Sequence, residues 1–148
     1  MRVTGLSRIG LLACSLLFAL VWPVHANDDQ DIWDLLTQTA SALSEGNARN
    51  FLAAFDRAMP GYSTLDANVS ALLDQYQVQS SIEILRQEGT SMMRNVELDW
   101  FLQIVEQHET AEVIRRRERV RCRLVKQGKK WRINSLEPVG FFAPPAPR

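Results

Sequence analysis

The sequence is poor in the residues from which small domains build disulfides, metal centres and nucleotide sites. It holds 2 cysteines and 2 histidines in 148 residues. Cys14 lies in an apolar segment near the start, so removal of that segment would leave Cys122 alone and exclude an intramolecular disulfide. The later glycines stand singly at predicted turns or breaks, which argues against a glycine-rich phosphate loop. Stability must therefore come from packing.

Reactive side chains are correspondingly few. After the apolar segment His108 is the only histidine, so any triad, histidine acid–base pair or multi-histidine metal site would have to use it. We expect His108 to lie in a solvent-exposed hairpin turn that ends near Thr110. Cys122 is interpreted as a small buried residue of a sheet. We therefore expect no metal and no cofactor.

Charge is absent from the run between Ile9 and Val24, which follows Arg2 and Arg8. The run ends at a small-residue site before an acidic stretch, so the pattern predicts a signal peptide over residues 1–26 with cleavage after Ala26. The mature domain would then cover residues 27–148 and be exported, either to the periplasm or out of the cell. An uncleaved membrane anchor is the alternative, but the run is short for a span of about 20 residues.

The segment around Cys14 also resembles the lipobox of bacterial lipoproteins, in which the cysteine is acylated. The apolar run continues well past Cys14, where a lipoprotein would turn polar. We therefore expect no lipid on Cys14 and no membrane association after cleavage.

The composition predicts one globular domain. Apolar residues make up 46% of the chain and charged residues 23%, which is typical of a packed protein. The formal net charge is zero, but the chain is acidic up to Glu112 and basic from Val113 onward. Because the basic part has a strand pattern, we interpret the asymmetry as two halves of one fold that attract each other.

Hydrophobic spacing predicts three helices in the first half of the mature chain. The first has its apolar face at Ile32, Leu35, Leu36, Thr39 and Leu43. The second is capped by Asn47 and carries Phe51, Leu52, Phe55 and Met59 until Pro60. The third starts at Thr64 and places Leu65, Val69, Leu72, Leu73 and Tyr76 inward.

The spacing then changes to a period of two, which predicts four antiparallel strands. The inward residues are Ile82 and Ile84, then Val96, Leu98, Trp100, Leu102 and Ile104, then Val120, Cys122 and Leu124, then Trp131 and Ile133. A turn near Thr110 predicts a register with Trp100 opposite Val120 and Leu98 opposite Cys122. The same register sets Glu97 opposite Arg123 and Asp99 opposite Arg121, which are favourable charge pairs.

The order of these elements, with the stretches 55–62 (FDRAMPGY) and 128–133 (GKKWRI), resembles the nuclear transport factor 2-like superfamily and in particular its uncharacterised secreted bacterial members. The resemblance covers nearly all of the mature chain. It implies an α+β fold in which N-terminal helices pack in the concave face of a strongly bent, mostly antiparallel sheet. This cystatin-like cone often has a pocket at its open end.

Candidates for lining such a pocket are Tyr62, Tyr76, Trp100, Arg116 and Glu118. Arg116 and Glu118 fall on the inward face of the third strand, near the expected opening of the cone. There they would either orient a ligand or form an ion pair that seals the rim.

Arginines recur at alternate positions of the third predicted strand and therefore share its other face: Arg115, Arg117, Arg119, Arg121 and Arg123. They form either an anion-binding stripe or a solvated face paired with Glu97 and Asp99. The aromatic residues that stack on nucleic-acid bases are nearly absent here, so we expect no nucleic-acid partner. Phe101 and Val105 add a partly apolar patch suited to a homodimer, with Phe101, Arg117, Arg119 and Arg121 as candidate contact residues.

Two functions remain open, because this superfamily includes isomerases, cyclases, dehydratases and non-catalytic modules. The first is an exported ligand-binding or dimerisation module without catalytic residues, whose ligand would be a small hydrophobic molecule. The second is a small-molecule isomerase, dehydratase or cyclase that uses Tyr62, Tyr76, Asp56 or Glu118 as acid and base. An apolar or filled cone would favour the module, and an inward carboxylate beside a tyrosine would favour the enzyme.

Overall fold

The computed structural model describes residues 24–107 and 112–147. Its elements are α1 (Val24–Ser44), α2 (Ala48–Leu52), α3 (Tyr62–Gln75), β1 (Tyr76–Gly89), β2 (Met93–Glu106), β3 (Val113–Gln127), β4 (Lys130–Glu137) and a final 3-10 helix (Val139–Phe142). Most of the predicted leader, with Cys14, and the predicted turn with His108 and Thr110 lie outside the described residues. None of the helices within them is long and apolar enough to cross a membrane.

The second helix is much shorter than its apolar spacing predicts. Asn47 caps it as expected, since its side chain accepts a hydrogen bond from the Asn50 amide at 3.0 Å. The helix nevertheless ends at Leu52, because the backbone of the next residues pairs with β4. The Ile133 amide donates to the carbonyl of Ala54 at 2.9 Å, and the Asp56 amide donates to the carbonyl of Ile133 at 2.8 Å. Pairing with the sheet thus replaces two turns of predicted helix.

The third helix also ends earlier than predicted. It begins at Tyr62 rather than at Thr64, and the chain becomes extended at Tyr76. Tyr76 is therefore the first residue of β1 and not an inward residue of the helix.

The four strands form one open antiparallel sheet in the order β1-β2-β3-β4. The predicted register between β2 and β3 is wrong by two residues, since Leu98 lies opposite Val120 and Trp100 lies opposite Glu118. Pairing starts with Val105 and Val113, so the connection is centred before Thr110. A shift of two residues keeps every side chain on its predicted face but changes its cross-strand neighbours.

The core lies between the concave face of this sheet and the helices. Leu98, Trp100, Val120 and Trp131 are all buried, which confirms the assignment of the inward face. From the helices, Ile32 and Leu36 of α1 and several residues of α3 complete the same cluster. The fold is therefore the predicted one, with helices packed in the hollow of a bent sheet.

Candidate functional site

The interior of the cone is filled by aromatic side chains. Trp100 is completely buried on β2, and its ring centroid lies 4.9 Å from that of Phe142 in an edge-to-face arrangement. Phe51 joins them from α2, at 5.4 Å from Phe142 and 5.0 Å from Phe55. The Trp100 indole donates its N–H to the Ser80 hydroxyl at 2.8 Å, so its one polar atom is satisfied.

The segment after β4 supplies a large part of this filling. The 3-10 helix buries both Phe141 and Phe142. Arg116 holds the segment in place, because its guanidinium donates hydrogen bonds to the carbonyls of Phe141, at 3.0 Å, and Ala143. Partial burial lowers the pKa of Arg116. The sequence patterns did not predict that this segment fills the cone, although the adjacent apolar residues Phe141 and Phe142 could have indicated it.

Arg116 thus lies at the rim, where the sequence places it, but its partners are backbone carbonyls and not Glu118. Glu118 is exposed and shares with Arg116 and Phe141 a shallow cleft of about 480 Å³. Tyr76 is half-buried in a different cleft of about 250 Å³, beside Asp74 and Glu106. The pocket candidates therefore do not converge on one enclosed site.

Tyr62 and Asp56 line a third cleft, of about 790 Å³, between α2, α3 and the hairpin that joins β3 to β4. Both oxygens of the Asp56 carboxylate accept hydrogen bonds, one from the Ala58 amide at 2.9 Å and the other from the Gln127 side chain at 3.1 Å. This carboxylate is therefore engaged in holding the loop and the hairpin together. The sequence did not indicate the cleft, because it forms only when α2 ends early and the next residues pair with β4.

The outer face of the sheet carries the arginine row of β3 beside the carboxylates of β2. Arg117 donates to Asp99 at 2.9 Å, and Arg119 pairs with Glu97 at 2.9 Å. The hydrogen bond from Arg117 is the main reason why the pKa of Asp99 lies below its usual value. These pairs run diagonally, since Asp99 lies directly opposite Arg119. Glu97 and Asp99 therefore pair with arginines of β3 as predicted, but with Arg119 and Arg117 and not with Arg123 and Arg121.

Apolar side chains interrupt this charged face. Phe101 and Val105 are half-buried on β2, and Val113 at the start of β3 is 41% exposed. Phe101 lies opposite Arg117 on one side and Ser81 on the other. The face therefore combines a small apolar strip with charged rows on both sides.

A buried polar cluster joins the start of α1 to the first residues of β2 and the last residues of β3. Asp28 is 2% exposed and accepts a hydrogen bond from the Lys126 ammonium at 2.8 Å. That bond, with the charge of Lys126, lowers the pKa of Asp28 in spite of its burial. Arg94 is also buried and donates to Asp29 and to the carbonyl of Thr90. No pattern in the sequence indicated that these residues lie together.

Metal binding and thiol chemistry find no support in the described ranges. Within residues 24–107 and 112–147, no three His, Cys, Asp or Glu side chains are grouped so that they could hold a metal ion. Burial raises the pKa of the Cys122 thiol to about 12, so it stays protonated and unreactive at neutral pH.

Comparison with known proteins reveals similarity in structure but not in sequence. No family model and no curated protein matches the sequence. A proposed scytalone dehydratase from Novosphingobium aromaticivorans DSM 12444 superimposes with a TM-score of 0.68 at 10% identity, over 76% of this chain and 83% of that protein.

Two further structures agree with it. A nuclear transport factor 2-like superfamily protein from Salmonella enterica serovar Typhimurium LT2 gives a TM-score of 0.61 at 12% identity, over 76% of this chain and 89% of its own. A protein of unknown function with a cystatin-like fold from Nostoc punctiforme PCC 73102 gives a TM-score of 0.57 at 18% identity, over 75% of this chain and 89% of its own. At such low identity the likeness establishes the fold alone, and the chain therefore has the nuclear transport factor 2-like fold.

Proposed function

We propose that this protein is an exported, non-catalytic module that associates with a second copy of itself through the outer face of its sheet. The observation that carries the proposal is the filled cone. Phe142 and Trp100 pack against each other in the space where the fold would hold a substrate, and Arg116 fastens the segment that carries Phe142. A small hydrophobic ligand would have to displace that segment.

The enzymatic alternative has weaker support. Its candidate acids and bases are distributed over three clefts, since Tyr76, Glu118 and the pair of Asp56 with Tyr62 lie apart. General acid–base catalysis needs both groups within hydrogen-bond reach of one substrate. The dehydratase name of one structural neighbour belongs to that protein and rests on a shared fold.

Export rests on the leader. Arg2 and Arg8, the apolar run that follows and the site at Ala26 together form the pattern of a cleavable signal peptide. The helix α1 already begins at Val24, so cleavage after Ala26 would remove only its first residues. The cluster around Asp28 would remain intact and anchor the new N-terminus.

A homodimer is favoured by the arrangement of charge on the outer face. β2 runs between β1 and β3, and the outward residues of β3 are the arginines. The outward residues of β1 are Gln77, Gln79, Ser81 and Glu83, followed by Arg86 and Glu88 beyond the irregularity between Ile84 and Arg86. A two-fold axis along β2 would stack β3 of each copy on β1 of the other. Each arginine row would then meet a mainly polar row of β1, in which Glu83 and Glu88 are acidic and Arg86 is the one basic residue, with the apolar strip around Phe101 at the centre. An axis across the strands would instead stack the two arginine rows and be repulsive.

Sedimentation velocity over a range of concentrations tests the proposal. The wild-type protein should sediment as a dimer, and Phe101→Asp should make it monomeric because a carboxylate would be buried at the centre of the contact. Glu45→Arg, a charge change at an exposed residue that follows α1, is the control and should leave the dimer intact. A wild-type protein that is monomeric at every concentration would overturn the proposal.

A further inference from the structure

The cleft of about 790 Å³ between α2, α3 and the hairpin from β3 to β4 contains a set of arginines that the proposed dimer does not use. Arg49 comes from α2, Arg57 from the loop that follows the bridge to β4, and Arg132 from β4 itself. Three separate parts of the chain therefore bring guanidinium groups to one concavity. We call it the arginine cleft.

The hydrogen bonds of the described residues leave much of this donor capacity unused. Arg132 donates one N–H group to the carbonyl of Ala53 at 2.9 Å, which fixes its side chain and leaves other N–H groups of the guanidinium available. Arg49 and Arg57 are exposed and make no side-chain hydrogen bond or ion pair with another described residue. The arginine row on the outer face differs, because Arg117 and Arg119 are paired there with carboxylates.

The two carboxylates in the cleft only partly offset the charge of these arginines. Asp56 accepts hydrogen bonds from Ala58 and Gln127, and Asp66 accepts one from the Ser70 hydroxyl at 3.2 Å. Neither forms an ion pair with an arginine within the described part of the chain. Both carboxylates serve local structure, and the arginines outnumber them. The cleft therefore has a net positive charge.

Apolar surface lies beside these charges. Leu52 is half-buried in the wall of the cleft and Tyr62 adds a phenol, whereas Phe55 is 1% exposed and offers almost no surface. The volume falls in the range of roughly 300–1,000 Å³ that is usual for small-molecule sites. Guanidinium groups bind planar or tetrahedral oxyanions through paired hydrogen bonds.

From this combination we infer that the arginine cleft binds a small organic oxyanion, a carboxylate or a phosphate, whose apolar part lies against Leu52. The oxyanion accepts hydrogen bonds from Arg49 and Arg57, and Arg132 is the fixed member of the set. This binding is independent of the proposed dimer, because the cleft is lined by α2, α3 and residues of β4 and its hairpin, whereas the dimer contact uses the outward residues of β1 to β3.

Isothermal titration of the wild-type protein with three probes tests the inference. Benzoate and phenyl phosphate carry an oxyanion on an aromatic ring, and benzyl alcohol carries the ring alone. Binding of benzoate or of phenyl phosphate, but not of benzyl alcohol, is expected, and the stronger of the two identifies the class of oxyanion. Failure of both anions to bind at millimolar concentration would overturn the inference.

Variants locate the binding. Arg49→Gln and Arg57→Gln should each lower the affinity for the preferred anion by roughly tenfold, because each removes a charged hydrogen-bond donor. Both side chains are exposed, so the variants should fold normally. Arg86→Gln, an equal loss of charge on β1, is the control and should bind like the wild type. Equal weakening in all three variants would mean that the anion is attracted only by overall charge and would also overturn the inference.

Discussion

The two faces of the sheet are built from the same strands but follow opposite rules. On the inner face of β2, Leu98 and Trp100 are completely buried, whereas their neighbours Glu97 and Asp99 point outward and pair with arginines. The side chains of the inner face are constrained because they must fill the space between sheet and helices, where a single void lowers the free energy of unfolding. The outer face has no such requirement. Recognition is therefore expected on the outside of this molecule, and stability on the inside.

The largest difference between the two faces is expected when a large side chain of the inner face is removed. Trp100→Ala should lower the free energy of unfolding by about 3–5 kcal/mol, because it removes the ring that contacts Phe142 and Phe51 and leaves a cavity. Phe101→Ala, its neighbour on the outer face, should cost far less. Urea unfolding of both variants measures the difference, and similar losses would show that the two faces do not differ.

Sequence periodicity was sufficient to assign these faces but not to describe what fills the cone. The alternation around Trp100 and Val120 predicted burial correctly, because the side-chain period of a strand is independent of its partner. The register, the end of α2 and the position of Phe142 depend instead on contacts between distant segments. The arginine cleft belongs to the same class, since Arg49 and Arg132 meet only in the folded chain.

A smaller loss of stability, which depends on pH, is expected when the buried carboxylate of Asp28 is removed. Asp28→Asn should lower the free energy of unfolding by about 1–3 kcal/mol at neutral pH, because it removes the charged partner of Lys126. The folded-state pKa of Asp28 is lowered, so its contribution is fully present above the unfolded pKa of about 3.9 and is lost as the pH falls through the folded pKa.

Urea unfolding of the wild-type and Asp28→Asn proteins between pH 7 and pH 2 tests this. The two stabilities should converge as the pH falls. Asp31→Asn is a suitable control, because Asp31 lies exposed on the same helix. A difference that stays constant over the whole range would mean that Asp28 acts through packing and not through its charge.

The smallest effect is expected on the outer face. A double-mutant cycle with Glu97→Gln and Arg119→Gln, measured at a protein concentration where the chain is monomeric, should give a coupling energy of only about 0.2–1 kcal/mol, because Arg119 is largely exposed to solvent in the single chain. The coupling should weaken further in 1 M salt, which screens exposed charges. A coupling in the monomer that is large and insensitive to salt would contradict this expectation, whereas a rise in coupling at concentrations where the dimer forms would mean that the second copy covers the pair.

The buried cluster at the start of α1 also affects how quickly the chain can fold. Asp28 and Lys126 are 98 residues apart in sequence, and Asp29 and Arg94 are 65 apart. Contacts between such distant residues require large loops to close before they stabilise anything, so folding is slower than in a helical bundle of similar size. The start of α1 can form both of its ion pairs only after β2 and β3 have been synthesised. A chain with this property stays unfolded for longer after synthesis, which suits a protein whose predicted leader directs it across a membrane.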